Sequence, residues 1–367
     1  MNKKVIILFV SWVIIINLFA VLAFNRFNLK GDTAYKWIDP SQFSQNQEWN
    51  LISLHVRWDS FFYLDIAQNG YSHKLGGELS NMVFFPLYPF LIKALSFFTG
   101  GNFVLSGWVL SLLFLFLSLL YLYKLVREFH PEVDKELALI LLLIFPTAFF
   151  LNAIYSESLF LFLSIATFYY AFKKNFILAG VFGLLASLTK ITGLLLFLPL
   201  IWEYFKNYKF KKILNLKFFS IFLVPLGTFA FFLFHYFKFK DFLLFFKVEG
   251  LWGRSFSLNG DHFSLFSRPA TVNLFLDVLF LVFAIIATYF VFKKIRASYG
   301  IYMLATLVTI LSTGTLMSIG RYILVLFPIY ILLASVKNKQ KLFPYVLTSV
   351  LLLAMNIALF VNSYWAG

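Results

Sequence analysis

The chain has 367 residues, of which 61% are apolar, 21% aromatic and only 13% charged, and its mean hydropathy is +0.84. Soluble proteins carry roughly a quarter charged residues, so this composition excludes a soluble enzyme and predicts an all-α polytopic integral membrane protein. The net charge of +15 does not announce a nucleic-acid partner, because Lys and Arg fall in short clusters between apolar runs and form no single basic stripe. The absence of cysteine removes disulfides, thiolate zinc sites and cysteine nucleophiles together.

The first apolar run, 5–24, follows Lys3 and Lys4 like a secretion signal, but it exceeds the ~7 to 15 residues of a signal core and reads as a retained span. Further runs at 103–123, 137–153, 157–172, 176–190, 192–205, 218–237, 273–292, 299–318, 321–336 and 342–362 predict about eleven transmembrane helices in one domain covering 1–367. The stretch 84–98 is as apolar, yet Pro86, Pro89 and Lys93 interrupt it. With that stretch in the outer interface, the short loops on one side hold 18 of the 31 Lys and Arg but five of the 16 acids, Glu128, Glu132, Asp134, Glu136 and Glu203. Positive residues are retained in short cytoplasmic loops, so that side is predicted to be the cytoplasm. Two long outer segments result: 25–102, the first outer loop with interfacial helices and the candidate catalytic loop, and 238–272. Irregular backbone avoids lipid, so an aqueous active site is expected at this outer face.

In the first outer loop, Arg57 and Trp58 precede a short helix that begins at Asp59 and stops at Gly70. Trp58, Phe61, Phe62 and Ile66 share one face at helical spacing, expected to lie against the membrane surface. Asp59 and Asp65 are about 240° apart around such a helix and form no carboxylate pair. Asp59 either caps the helix, accepting the amides of Phe61 or Phe62, or acts alone in chemistry. Glu157 follows Tyr155 and Ser156 at the outer end of an apolar run, where an acid is costly unless it faces a polar cavity or an ion-pair partner such as Lys190. Lys190, Arg254 and Arg321 fall at outer span ends or in the second outer loop; each either meets an anion or is a snorkelling or solvated side chain. Asp277 has a helix-dipole explanation. His55 and His73 lack metal-ligand spacing, so no metal site is expected and any divalent-metal requirement stays open. No cofactor is expected, and His130-Pro131 reads as a turn.

Trp58-Asp59 followed by Ile66-Ala67-Gln68-Asn69-Gly70-Tyr71, then Phe84-Phe85-Pro86-Leu87-Tyr88-Pro89, resembles the opening of the mannosyltransferase family that adds the second mannose to glycosylphosphatidylinositol, and of its prokaryotic relatives. Phe145-Pro146-Thr147-Ala148-Phe149-Phe150 with Tyr155-Ser156-Glu157-Ser158-Leu159-Phe160, Leu188-Thr189-Lys190-Ile191-Thr192-Gly193-Leu194, and Arg321-Tyr322 with Leu326-Phe327-Pro328 are similar too. The resemblance implies a GT-C glycosyltransferase with an outer-face active site and a polyprenyl-phosphate-linked sugar donor. It also implies a functional role for Trp58 and Asp59. That family often has Arg-Pro where this chain has Lys190-Ile191, which keeps a basic group but puts the helix break in doubt.

The residue types suit such chemistry. Sugar transfer from a phosphate to a hydroxyl needs a base for the acceptor proton and cations for the departing phosphate. Asp59 is the candidate base; Trp58, Arg57, Glu157, Lys190, Arg254 and Arg321 are candidate substrate-binding residues. The expected function is an inverting mannosyl transfer from a polyprenyl-phosphate carrier to a glycan or lipid acceptor, outside the cytoplasm and at the plasma membrane. The rival is a transporter or lipid flippase without covalent chemistry. Paired repeats and midplane charges typical of transporters are absent from the sequence, and the candidate charges gather at one face.

Overall fold

The computed structural model describes residues 3–27, 50–72, 80–208, 215–254 and 272–366, and among these the secondary structure is entirely helical. The helices are α1 (Lys3–Arg26), α2 (Asp59–Asn69), α3 (Leu87–Ser96), α4 (Phe103–Phe129), α5 (Lys135–Leu143), α6 (Glu157–Phe172), α7 (Phe176–Ser187) and α8 (Phe197–Asn207). They continue as α9 (Leu216–Phe219), α10 (Leu223–Phe239), α11 (Leu244–Leu251), α12 (Val272–Lys294), α13 (Ala297–Leu311), α14 (Ile319–Leu324), α15 (Pro328–Ala334) and α16 (Phe343–Val361).

Among the described residues five helical stretches are long and apolar enough to cross a membrane: Lys3–Arg26, Phe103–Phe129, Leu216–Phe239, Leu274–Lys294 and Lys339–Val361. Their outward faces are apolar where a soluble protein would be charged, with Ile7, Ile14, Ile15 and Leu18 on α1 and Phe275, Ile285 and Ile286 on α12 exposed. Only lipid makes that arrangement favourable, and the chain is an integral membrane protein. Five of the expected eleven or so transmembrane runs are thus seen as long helices among the described residues. The other runs are short or broken: α5 stops before Pro146, the run from 192 divides into a 3-10 turn and α8, and Pro328 separates α14 from α15. At ten residues, α3 is about 15 Å long, half the thickness of a bilayer core.

At the centre lies α6, apolar on every side and packed between α4 and α7; apart from Tyr170, all its residues are buried. A helix without a polar face belongs inside a bundle. Charged residues collect at its two ends. Remote from Glu157, Lys4 pairs with Glu136 (3.1 Å), Lys173 with Glu128 (3.1 Å), Lys339 with Asp134 (3.7 Å) and Arg296 with Glu203 (2.7 Å). These pairs join the loops that the charge count groups on one side. The other end gathers the loop before α2, the start of α6, the end of α7, the start of α14 and the residues after α16.

The loop before α2 is anchored deeply. His55 hydrogen-bonds Asn17 of α1 (2.8 Å) and stacks on Trp108 of α4 at 5.3 Å, and its carbonyl accepts from the Ile154 amide (3.2 Å). The expectation that α2 lies against the membrane surface is not met. Trp58 and Ile66 are buried, and Phe62 stacks on Phe84 at 4.9 Å and meets the edge of Trp252 at 5.2 Å, because α3 and the 252 region cover the apolar face that lipid was expected to cover.

Burial, with Arg57 nearby, pushes the His55 imidazole from 6.5 down to about 3, so it is neutral when folded and takes up a proton on unfolding. The linked stability is present above pH 6.5 and is lost as pH falls toward 3. The thermal midpoint of detergent-purified protein is expected to fall between about pH 6.5 and pH 5, and His55→Gln to flatten that slope; parallel slopes for both proteins would refute it.

Candidate active site

No side chain caps α2. Trp58 precedes it at φ +52° and ψ −116°, a conformation that costs a non-glycine residue about 1–3 kcal/mol and has to be imposed by its surroundings. The C-terminal segment imposes it. The Trp58 indole donates to the Tyr364 carbonyl (3.2 Å) and meets Trp365 edge-on at 5.5 Å. Arg57 donates to the carbonyls of Val361 (3.0 Å), Ser53 (2.7 Å) and Val56 (2.7 Å), while its own carbonyl accepts from the Tyr155 hydroxyl (3.1 Å). Arg57 is thus a latch between this loop and the end of α16, and it does not line the cleft described below. Asp59 opens α2, and its carboxylate turns away from the helix amides to Arg321, whose Nη1 donates to Oδ2 at 2.6 Å.

Arg321 stands in the short α14, entered through Ser318 at φ +69°. Thr147, from the Phe-Pro-Thr stretch that ends the α5 run, donates to the Gly320 carbonyl at 2.9 Å. A Cβ at Gly320 would lie 2.9 Å from Thr147 Cγ2, so the glycine permits this approach. The guanidinium lies 4.7 Å from the Tyr155 ring centre and 5.6 Å from that of Trp365. Its far edge reaches the fully buried Glu157, with Nε 2.9 Å and Nη2 2.8 Å from Oε1.

Glu157 begins α6, where the helix dipole favours an anion. Its Oε1 also accepts from Lys190 Nζ at 2.8 Å, while Oε2 has no hydrogen-bond partner among the described residues. Lys190 is extended (φ −152°, ψ 151°) between α7 and a 3-10 turn over Ile191–Leu196. The helix break therefore persists although Ile191 stands where the resembled family has proline. Gly193 allows it, since an added Cβ there would fall 2.3 Å from the Ala186 carbonyl oxygen.

Four stretches far apart in sequence thus contribute Asp59, Glu157, Lys190 and Arg321 to one linked ion cluster. It borders an open cleft with a cavity volume of about 110 Å³. Asp59, Lys190, Arg321 and Trp58 line it, and Glu157 sits behind them. Arg254 lines the cleft as well, paired through Nη1 with Glu249 Oε2 at 3.3 Å and lying 5.9 Å from the Tyr322 ring centre. Burial raises the Glu249 carboxyl above its ordinary range, opposed by Arg254. Aromatic side chains, among them Phe62, Phe84, Trp252, Tyr322 and Trp365, form the rest of the wall. Asp65 is elsewhere, accepting from Asn69 and Asn81 at 2.8 Å each.

Sequence reasoning passed over Glu249, Tyr322 and Trp365. Glu249 offered a signal, an acid five positions before Arg254 in an apolar stretch; an aromatic residue at the edge of an apolar run offers none, because the bilayer interface attracts it anyway. No group of three or more metal-ligating side chains occurs among the described residues. His73 and the segment 255–271 of the second outer loop lie outside them.

Residues 2–253 match the family described as Mannosyltransferase (PIG-V). No curated protein matches the chain. A crystal structure of the Archaeoglobus fulgidus oligosaccharyltransferase, complexed with Zn and sulfate, is similar at a TM-score of 0.45 and 14% identity, covering 97% of this chain and 53% of that one. The chain therefore spans about half the length of that protein. With well over half of its residues matched, this chain belongs to the PIG-V mannosyltransferase family.

Proposed function

We propose that this protein is a GT-C glycosyltransferase that moves mannose from a polyprenyl-phosphate carrier to a hydroxyl of a glycan or lipid acceptor, at the extracytoplasmic face of the plasma membrane. One observation carries the reading: a carboxylate, Asp59, stands in an open cleft beside two cations, Lys190 and Arg321, that a buried acid holds in place. Among six charged groups of the site, the acids Asp59, Glu157 and Glu249 offset the cations Lys190, Arg254 and Arg321. A phosphate is attracted to such a site by exchange, taking hydrogen bonds that carboxylates otherwise hold.

In the proposed step the acceptor oxygen forms a bond to the anomeric carbon as the bond from that carbon to the phosphate oxygen breaks. The electron pair leaves with the polyprenyl phosphate, and a single displacement inverts the anomeric centre. Asp59 takes the acceptor proton late and releases it to water. Its pairing with Arg321 through Oδ2 leaves Oδ1 for that proton. Lys190, Arg321 and Arg254 offset the charge that develops on the phosphate, and the apolar wall suits the lipid tail. The predominance of positive residues in the short loops at the opposite end supports the extracytoplasmic assignment.

Purified protein incubated with labelled polyprenyl-phosphate sugars and candidate lipid acceptors is expected to yield a glycosylated product from the mannose donor; failure with every such donor would remove the proposal. Asp59→Asn is expected to lower turnover at least about 100-fold while donor affinity changes less than about threefold, and near-parental turnover would take Asp59 out of the step. Glu157→Gln weakens the hold on Lys190 and Arg321 together. It is expected to cost about 3–5 kcal/mol in chemical denaturation and to raise the donor KM, and an unchanged denaturation midpoint would show that the buried cluster is not held through Glu157.

A further inference from the structure

Past Ile191, Met317 and Tyr322 the cleft adjoins a second, smaller hollow, with a cavity volume of about 20 Å³. Its lining differs in chemistry from that of the ion cluster. Four threonines, Thr192, Thr309, Thr313 and Thr315, face it, with the Glu249–Arg254 pair shared between the two spaces. Three of these hydroxyls are used internally: Thr309 donates to the Ala305 carbonyl (2.9 Å), Thr313 to that of Ile310 (2.7 Å), and Thr315 accepts from the Met317 amide (3.2 Å). Thr192 differs. It is 3% exposed, and its Oγ1 has no hydrogen-bond partner among the described residues.

A buried hydroxyl without a partner costs on the order of 1–3 kcal/mol, and a ligand group that bonds to it at the cavity wall recovers that cost. The hollow admits one group of about the size of a water molecule. A phosphate is too large for it, whereas a single neutral group that both donates and accepts can satisfy Thr192 and Glu249 together. The geometry points to a subsite that reads one hydroxyl or hydroxymethyl group of a sugar whose ring occupies the adjoining cleft, with Thr192 as the specificity-determining residue and Glu249 at its mouth. This inference rests on the glycosyltransferase reading for the identity of the ligand, and it leaves donor and acceptor sugar as the two sources of the same group.

Thr192→Val tests it cleanly, since the change keeps shape and removes only the unpartnered oxygen, so the fold is retained. Binding of methyl α-mannoside and its monodeoxy analogues to detergent-purified protein, followed by saturation-transfer NMR, is the primary readout. The parent is expected to bind the mannoside and to disfavour one deoxy analogue by about fivefold to tenfold; Thr192→Val is expected to bind both equally, at the weaker value. No glycoside binding by the parent, or unchanged discrimination in the variant, would overturn the subsite. Steady-state kinetics with the two full substrates then separates the sources, because only the substrate whose hydroxyl enters the hollow shows a raised KM in the variant. Failure of the transfer reading appears differently, as glycoside discrimination that survives while no polyprenyl-phosphate sugar is consumed.

Discussion

The architecture at this end of the molecule depends on one guanidinium. Arg321 bridges Asp59 and Glu157, and through Glu157 it is tied to Lys190, so loop, central helix, broken helix and C-terminal helices meet at one point. Such a cluster is not chosen for stability. Removing charges from water costs several kcal/mol per ion, and a similarly shaped apolar core is often as stable or more so. What ion pairing supplies is position: the fork of the guanidinium fixes the distance between two carboxylates that the backbone alone leaves free.

That position is supported outward. Thr147 holds the Gly320 carbonyl, Arg57 latches the α2 loop to Val361, and the Trp58 indole is tied to Tyr364. Both segments that deliver the Asp59–Arg321 pair are entered through a non-glycine residue at positive φ, Trp58 and Ser318. Strain of this kind persists only where neighbours over-determine it. The broken helices have the same logic: non-helical backbone at membrane depth is tolerated where it lines a cavity, and the breaks at 188–190 and 312–318 border the cleft.

Much of this was legible in the sequence. Hydropathy marked the helical runs, and Gly70 ended α2 where the local pattern placed its stop. An acid at the start of an apolar run, Glu157, needed a partner, and Lys190 supplies it. Three things were not legible, each for a physical reason. Helix length depends on breaks that need no proline, as Lys190-Ile191 shows with Gly193 packed on Ala186. The apolar face of α2 could not be assigned to protein or lipid, because both accept the same side chains. Arg57 read as a ligand-binding cation, but its donors are taken by carbonyls from residues 53, 56 and 361, a pairing 304 positions away that no local pattern reveals.

The family match covers residues 2–253, yet Arg321 and Trp365 come from beyond it. Within the matched two thirds of the chain Asp59 and Glu157 both lack the cation that joins them, and Lys190 alone neutralises the deeper acid. That portion holds the proposed proton acceptor but not the guanidinium that aims it. α14 brings that cation and the residues after α16 set Trp365 against Trp58, so the final hundred or so residues complete the surroundings of the aspartate as well as one wall of the cleft.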